Sequence, residues 1–392
     1  MGVLRSELPI RDGMKQPGKN VPIKLEQRGA SRGRIVLHED AFISMLYLER
    51  RRAERAHNRF VLMLVDVKGI LADGQKNRTL SKATNALLSV TRETDIVGWY
   101  LEDHLIGVIG TEVGEANPKT VQNMMLEKVR GALSGALPQE KVSQISVSFH
   151  FFPEDWEGED PDHLANITLY PDLSRKQETR KFALGVKRSM DIVGSSAALL
   201  LLSPVFAAVA LAIKLSSKGP VLFKQERLGQ FGKKITVLKF RSMRTDCDAK
   251  IHEEYVSQFI AGQVDGAASA GNRPVYKIQE DPRVTRLGKF LRRSSLDEFP
   301  QFWNVLVGDM SLVGPRPPVP YEYKAYELWH RRRVLEIKPG ITGLWQVEGR
   351  SRTRFDEMVR LDLKYARGWS IWLDVKILFQ TPVAVLTGDG AH

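Results

Sequence analysis

At 392 residues the chain exceeds one ordinary compact domain, and two domains are expected. Lys and Arg number 58 against 46 Asp and Glu, a net charge of +12 that points to an anionic partner such as nucleic acid, phospholipid or a phosphorylated substrate without choosing among them. The one cysteine, Cys247, excludes an internal disulfide, and the 8 histidines lack the Cys/His spacing of a zinc site, so a reducing compartment fits.

The first stretch, "MGVLRSELPIRDGMKQPGKN", has no apolar run of the kind a secretory signal carries, so the N-terminal part is expected in the cytoplasm. Residues 1–34 read as a flexible basic tail. From about Glu39 the spacing changes: "AFISMLYLERRRAERA" is helical and "RFVLMLVDVKG" reads as a buried strand ending in a turn. A helix follows over about Leu80 to Thr94, then the short strands "DIVGWY" and "LIGVIG" flanking "LEDH", a helix near Thr120 to Ser134, and the strand "QISVSFHFF". This α-β-α-β-β-α-β order predicts a ferredoxin-like α+β domain over 35–155.

Through "RFVLMLVDVKG", "RETDIVGWYLEDHLIGVI" and "SVSFHFFPED" this domain resembles the nucleotide-cyclase-like fold of GGDEF domains, in a degenerate form. The signature loop falls on Leu101 to Leu105, where its two glycines are absent, and Lys68 stands where the resemblance implies a second metal-binding acid. Cyclase activity is therefore not expected, and an interaction or dimerisation module is. Residues 156–182, polar and proline-bearing, read as a linker.

"IVGSSAALLLLSPVFAAVALAI", Ile192 to Ile213, is uncharged and long enough to cross a bilayer. Ser203-Pro204 interrupts it: proline removes a backbone donor and bends the helix, and a serine hydroxyl can serve the carbonyl left without its bond. Basic residues on both flanks, Arg180, Lys181, Lys187 and Arg188 before and Lys214, Lys218, Lys224 and Arg227 after, favour both ends on the cytoplasmic side. A re-entrant helix over 190–214 and a kinked spanning helix both remain open on these residues. Beyond it, "PVLFKQERLGQFGKKITVLKFRSM" reads strand, turn, strand; Asp246 to about Tyr276 reads as a mobile loop; and the chain from Arg283 is helical and amphipathic.

In "SSLDEFPQFWN" the acids Asp297 and Glu298 stand among Leu296, Phe299, Phe302 and Trp303. Two structural readings apply: Ser295 and Glu298 have the spacing of a capping box, and Asp297 has the chemistry of an N-cap. The functional reading is a carboxylate that attacks phosphorus beside one that binds a neutralising cation. Arg316, fixed between Pro315 and Pro317, suits bidentate phosphate contact, and Arg292 and Arg293 lie within two turns upstream. Acids with several arginines describe a phosphoryl-transfer site.

From about Lys187 onward the chain resembles the bacterial sugar transferases, the monotopic polyprenyl-phosphate phosphoglycosyl transferases. The pieces that carry this are "KRSMDIV", the Ser-Pro break, "GPVLFKQERLGQFGKKITVLKFRSM", "DPRVTRLGKFLRRSSLDEFPQFWNVLVGDMSLVGPRP", "KPGITGLWQVEGRS" and "WSIWLDVKILFQT". The resemblance implies a mostly helical catalytic domain over 183–392 that moves a sugar 1-phosphate from a UDP-sugar to undecaprenyl phosphate, opening exopolysaccharide or O-antigen type glycan assembly. It implies Asp297 as nucleophile, Glu298 as ligand of Mg2+, Arg316 as phosphate-binding, Lys239, Arg241 and Arg292 as further substrate contacts, and Ser203-Pro204 as the break of a re-entrant helix. It also selects a UDP-sugar, a polyprenyl phosphate and membrane lipid, with no nucleic acid, as partners at the cytoplasmic face of the bacterial inner membrane. Trp369, Ile371, Trp372, Val375 and Leu378 form an amphipathic helix for the lipid boundary, with core packing as the other reading. A homodimer through the N-terminal module is a reasonable expectation. The alternative function is a membrane-anchored nucleotide sensor or scaffold without catalysis.

Overall fold

The computed structural model describes residues 34–71, 76–111, 113–153, 166–244, 256–260, 283–349 and 354–386. The expected tail up to residue 33, and the loop 246–276 apart from 256–260, lie outside them. Two compact units are present: Met1–Leu48, Val61–Phe149 and Arg175–Thr179 form the first, and Glu49–Phe60, His150–Ser174 and Arg180–His392 the second.

The N-terminal elements are α1 (Glu39–Ala56), β1 (Phe60–Asp66), α2 (Lys76–Val90), β2 (Ile96–Leu101), β3 (Leu105–Gly110), α3 (Pro118–Ala136), the single turn α4 (Gln139–Val142) and β4 (Ser146–Phe152). They follow the order read from the sequence. The strands lie β2-β3-β1-β4, with β1 and β2 each antiparallel to β3. β1 is buried along almost its whole length, which explains its unbroken apolar run. Within the first unit, Met63, Val65, Ile106 and Val108 of the sheet pack against Leu80, Leu87, Val129 and Leu133 of α2 and α3. On the ladder, Gly98 faces Gly107, and a Cβ on either would overlap the fully buried ring of Phe42.

Where it is described, the stretch expected as a linker, 156–182, is folded: Pro171 opens α5 (Pro171–Thr179), the first-turn position that suits a residue without an N–H. In the second unit, Arg50 pairs with Asp172 and lies 4.3 Å from the ring centre of Tyr170, tying this stretch to the end of α1. Among the described residues, 150–153 and 166–174 group with the second unit, where the sequence reading sets boundaries at 155 and 183.

The apolar segment is two helices, α6 (Lys181–Leu201) and α7 (Ser203–Ser216), bent by 59°. Among the described residues no single helix is long and apolar enough to cross a membrane, though this bent pair is by length and composition. The break has a local cause. Pro204 cannot donate to the carbonyl of Leu200 four residues back, and the Ser203 hydroxyl donates to that carbonyl at 2.8 Å instead. Leu200, Leu201, Leu211 and Leu215 are exposed along the pair.

An antiparallel hairpin, β5 (Leu222–Leu228) and β6 (Lys234–Phe240), follows, then α8 (Arg286–Arg293), α9 (Gln301–Val307) and the parallel pair β7 (Ser311–Val313) and β8 (Gly340–Thr342). Helices α10 (Pro320–Lys324), α11 (Leu328–Glu336), α12 (Leu344–Glu348), α13 (Phe355–Gly368) and α14 (Ile371–Leu386) complete the unit. Two buried clusters hold them, one around Tyr326, Val334, Trp345 and Phe355, the other around Val313, Ile337, Tyr365 and Ile377. On α14, Trp372 and Phe379 are 76% and 78% exposed. Trp369 is not part of that face: it is 6% exposed and donates its indole N–H to Asp374 at 3.0 Å, so core packing is the reading the structure supports there.

Lys187 and Arg188, counted in the sequence as flanking charges, are internal ties. Lys187 donates to Asp374 at 2.7 Å and to the carbonyl of Val313 at 2.9 Å, while Arg188 donates to the carbonyls of Val305 and Leu306 at the end of α9. Asp191 on the next turn accepts from the Ser311 hydroxyl and the Leu312 amide. Helix α6 is thus fastened to three parts of the second unit before its apolar stretch begins.

Candidate active site

Asp297 and Glu298 sit on one 3₁₀ turn, Leu296–Glu298, entered through Ser295 at φ 55°. That left-handed backbone differs from the extended one an N-cap needs, and Ser295 makes no side-chain cap bond. The next helix starts at Gln301 with Pro300 just before it, so Asp297 is not its cap and the proline interrupts no helical bond. Neither capping reading describes these acids.

The mixed composition of the stretch sorts by neighbour. Leu296 packs with Val209, Ile213, Phe240 and Leu291, and Phe299 stands edge-on to Phe206 of α7 with ring centres 6.3 Å apart. The apolar residues thereby seat the turn against α7. Asp297 is 9% exposed, and the Glu298 side chain is about one-third exposed.

Asn304 aligns β6 with this turn. It is 3% exposed, accepts from the Leu238 amide at 3.0 Å and donates to the Thr236 carbonyl at 2.7 Å. Lys239, next on the strand, then reaches Glu298 with Nζ 3.1 Å from Oε1. Burial pushes the Lys239 ammonium below its ordinary range; Glu298 opposes this, Arg227 and Arg316 add to it, and Asp297 opposes it. Both acids, the lysine and two arginines therefore share one electrostatic neighbourhood.

Arg316 is held through its backbone. Prolines on either side leave few donors in 315–318, and its four carbonyls accept from four groups: Pro315 from the Gly340 amide at 2.9 Å, Arg316 from Arg333 at 3.3 Å, Pro317 from Arg227 at 2.5 Å, and Pro318 from the Leu228 amide at 2.8 Å. Close backbone packing adds to this, since a Cβ on Gly314 or Gly340 would collide with the facing main chain. A loop fixed at every carbonyl gives a long, flexible guanidinium a defined origin.

Arg241 and Arg292 lie elsewhere in the connection. Arg241, 6% exposed, donates to the Ser217 carbonyl and hydroxyl at 2.8 and 2.9 Å, closing the end of α7, and Arg292 donates to the Ser242 hydroxyl at 3.2 Å. Asp297, Glu298, Lys239 and Arg316 are brought together; Arg241 and Arg292 join β6 to the helices around it. Arg227 and Asn304 were not singled out as site residues from the sequence. Arg227, read there as a flanking charge, is 4% exposed at the end of β5, and its role shows only through the tertiary contact with the Pro317 carbonyl, which leaves no local signal in the sequence.

Among the described residues no three His, Cys, Asp or Glu side chains gather as a metal cage. Mg2+ is commonly held by one or two carboxylates with substrate phosphates and water, and the adjacent Asp297 and Glu298 fit that partial donor set.

Residues 182–388 match the family model described as bacterial sugar transferase, slightly more than half of the chain. The chain belongs to the bacterial sugar transferase family. It is 45% identical over 206 residues to the galactosyl transferase CpsE of Streptococcus agalactiae serotype III (strain NEM316), covering 52% of this chain and 43% of that protein. It is also 45% identical over 203 residues to the UDP-glucose:undecaprenyl-phosphate glucose-1-phosphate transferase of Escherichia coli K12, covering 50% and 39%. The exopolysaccharide production protein ExoY of Rhizobium meliloti is 38% identical over 206 residues, covering 53% of this chain and 88% of ExoY. This sugar transferase thus spans less than half the length of the first two relatives. A solved structure titled a DGC protein from Thermotoga maritima covers 31% of this chain and 84% of its own at 22% identity and a TM-score of 0.25, too low to carry an argument.

Proposed function

We propose that this chain transfers a sugar 1-phosphate from a UDP-sugar to undecaprenyl phosphate by two displacements at one phosphorus, with Asp297 as the covalent relay. The observation that carries this is the gathering of Lys239 of β6 and Arg316 of the proline loop around Asp297 and Glu298, whose turn is seated against an apolar helix of membrane type. In the first step an Asp297 carboxylate oxygen attacks the phosphorus bearing the sugar. The bond to the bridging oxygen breaks, and UMP leaves with the electron pair. In the second, the terminal oxygen of undecaprenyl phosphate attacks the same phosphorus, the bond to Asp297 breaks, and the carboxylate returns. Splitting the substitution this way predicts ping-pong kinetics.

Arg316 meets the non-bridging phosphate oxygens with a planar fork, and Lys239 holds Glu298 in place. Mg2+, held by Glu298 with the phosphates of the donor, supplies neutralisation of charge when bound. The 59° bend at Leu202 supports a re-entrant rather than spanning helix, with both ends on the cytoplasmic side of the inner membrane and the exposed leucines of α6 and α7 in lipid. The strand order β2-β3-β1-β4 supports a ferredoxin-like N-terminal unit, and pairing of two subunits is the role proposed for it.

UMP release by nanodisc-held protein with Mg2+ and a panel of UDP-sugars tests the reading. With undecaprenyl phosphate, release continues; without it, release stops at or below one equivalent. Asp297→Asn lowers turnover at least about 10³-fold. Full turnover by Asp297→Asn overturns the nucleophile, and silence of the folded wild type across the panel overturns the activity.

A further inference from the structure

Of the four groups that clamp the Arg316 loop, three are easily understood as strand pairing or strand-borne contacts; the fourth is not. Arg333 on α11 reaches the Arg316 carbonyl at 3.3 Å, and the same terminal nitrogen lies 2.7 Å from Oδ2 of Asp362 on α13. The two side chains are 4% and 1% exposed. A buried charge pair is a weak device for stability, because desolvation offsets most of the attraction, so its presence beside the loop calls for another reason.

We propose that Arg333 and Asp362 are positioning residues for phosphate binding. Asp362 holds the guanidinium of Arg333 by charge at 2.7 Å rather than by an aligned hydrogen bond, Arg333 donates to the carbonyl of Arg316, and the direction of the Arg316 side chain follows. The inference rests on the reading of Arg316 as a phosphate ligand given above, and it names two residues outside the acid pair on which turnover depends. Arg333 also lies 3.5 Å from the hydroxyl of Tyr326, whose proton burial holds on, so no competing anion forms there.

A pH dependence accompanies this geometry. Burial raises the Asp362 carboxyl to about 6, and Arg333 opposes the rise. The groups facing it are Arg333 from α11, Tyr326 from the turn before α11 and Tyr365 on α13, with Glu322 and Arg316 acting on Tyr326 from beyond. The sign is that of an acid whose folded value lies above its unfolded one: the folded state takes up the proton more readily, so protonation below about 6 costs no stability. What it removes is the anion that holds Arg333. Activity therefore falls on the acid side of 6 while the fold persists.

Four proteins in nanodiscs test the proposal: wild type, Arg333→Lys, Asp362→Asn and the double variant Arg333→Met with Asp362→Leu. The double variant replaces the pair by apolar groups, which recovers stability in comparable buried pairs. Thermal unfolding, amide exchange of the peptide spanning Gly314 to Val319 and UMP release are read on each. The proposal expects the double variant, and Arg333→Lys with its charge pair kept, to melt near wild type yet exchange at least ten-fold faster in that peptide and lose at least ten-fold in kcat. It also expects an acid limb of kcat near pH 6 that flattens in Asp362→Asn. Wild-type exchange and kcat in either stable variant overturns it, as does a limb unmoved by Asp362→Asn. If wild type releases no UMP, the functional reading fails, and exchange alone then decides whether the pair holds the loop.

Discussion

Arg316 illustrates how a side chain's chemistry is set by what its backbone cannot do. Flanked by prolines, its segment has little capacity to donate hydrogen bonds, so its carbonyls are served from outside by Gly340, Arg333, Arg227 and Leu228. Arg316→Lys keeps the charge and loses the planar fork. Steady-state UMP release is expected to fall about 10²-fold in kcat, the scale for losing one oriented donor at a developing charge. A change within two-fold would mean that charge alone suffices. The Pro-Arg-Pro context made this residue legible in the sequence. Its clamp was not, because Arg227 and Arg333 lie about 90 and 17 positions away and only tertiary contact joins them. The same limit applies to Asp297 and Glu298: the acid pair stands out in the sequence, whereas the 3₁₀ turn that replaces a helix cap depends on the left-handed Ser295.

Among the elements, the α6–α7 pair shows one residue's deficit repaired by its neighbour. Leu200 loses the Pro204 donor and gains the Ser203 hydroxyl, so the carbonyl that the proline deprives is served inside an apolar segment. Ser203-Pro204 identified that break from the sequence, since both effects are local. The internal ties of Lys187, Arg188 and Asp191 were hidden, because a basic residue ahead of an apolar run reads the same whether it meets headgroups or Asp374. Topology follows from labelling. In a Cys247→Ser background, Phe182→Cys and Lys218→Cys are expected to react with an impermeant maleimide from the cytoplasmic side of inside-out vesicles, both to the same extent. Reaction of one from each side would establish a simple span.

The whole molecule is built of two compact units. The N-terminal unit was legible in its element order, because each strand and helix there carries its own period, while the folding of 166–174 with the second unit was not, since it depends on Arg50 meeting Asp172 and Tyr170. Gly98 and Gly107 make room for Phe42 inside the first unit, so Gly107→Ala must displace that ring. Overpacking of this kind costs about 1–3 kcal/mol. Differential scanning calorimetry is expected to show an earlier transition for the N-terminal unit, sedimentation, on the pairing proposed for this unit, a shift from dimer to monomer, and UMP release to persist. Loss of UMP release together with the early transition would mean that the units do not act separately.

The central claim is a covalent bond at Asp297. Intact-protein mass spectrometry after incubation with Mg2+ and a UDP-sugar, in the absence of lipid acceptor, tests it most directly. The account predicts a mass increase of one sugar phosphate on wild type, discharged on adding undecaprenyl phosphate and absent from Asp297→Asn. UMP released in step with lipid product by a wild type that never carries the adduct, even when the reaction is trapped by acid within one turnover, would contradict it and require direct transfer between the two substrates.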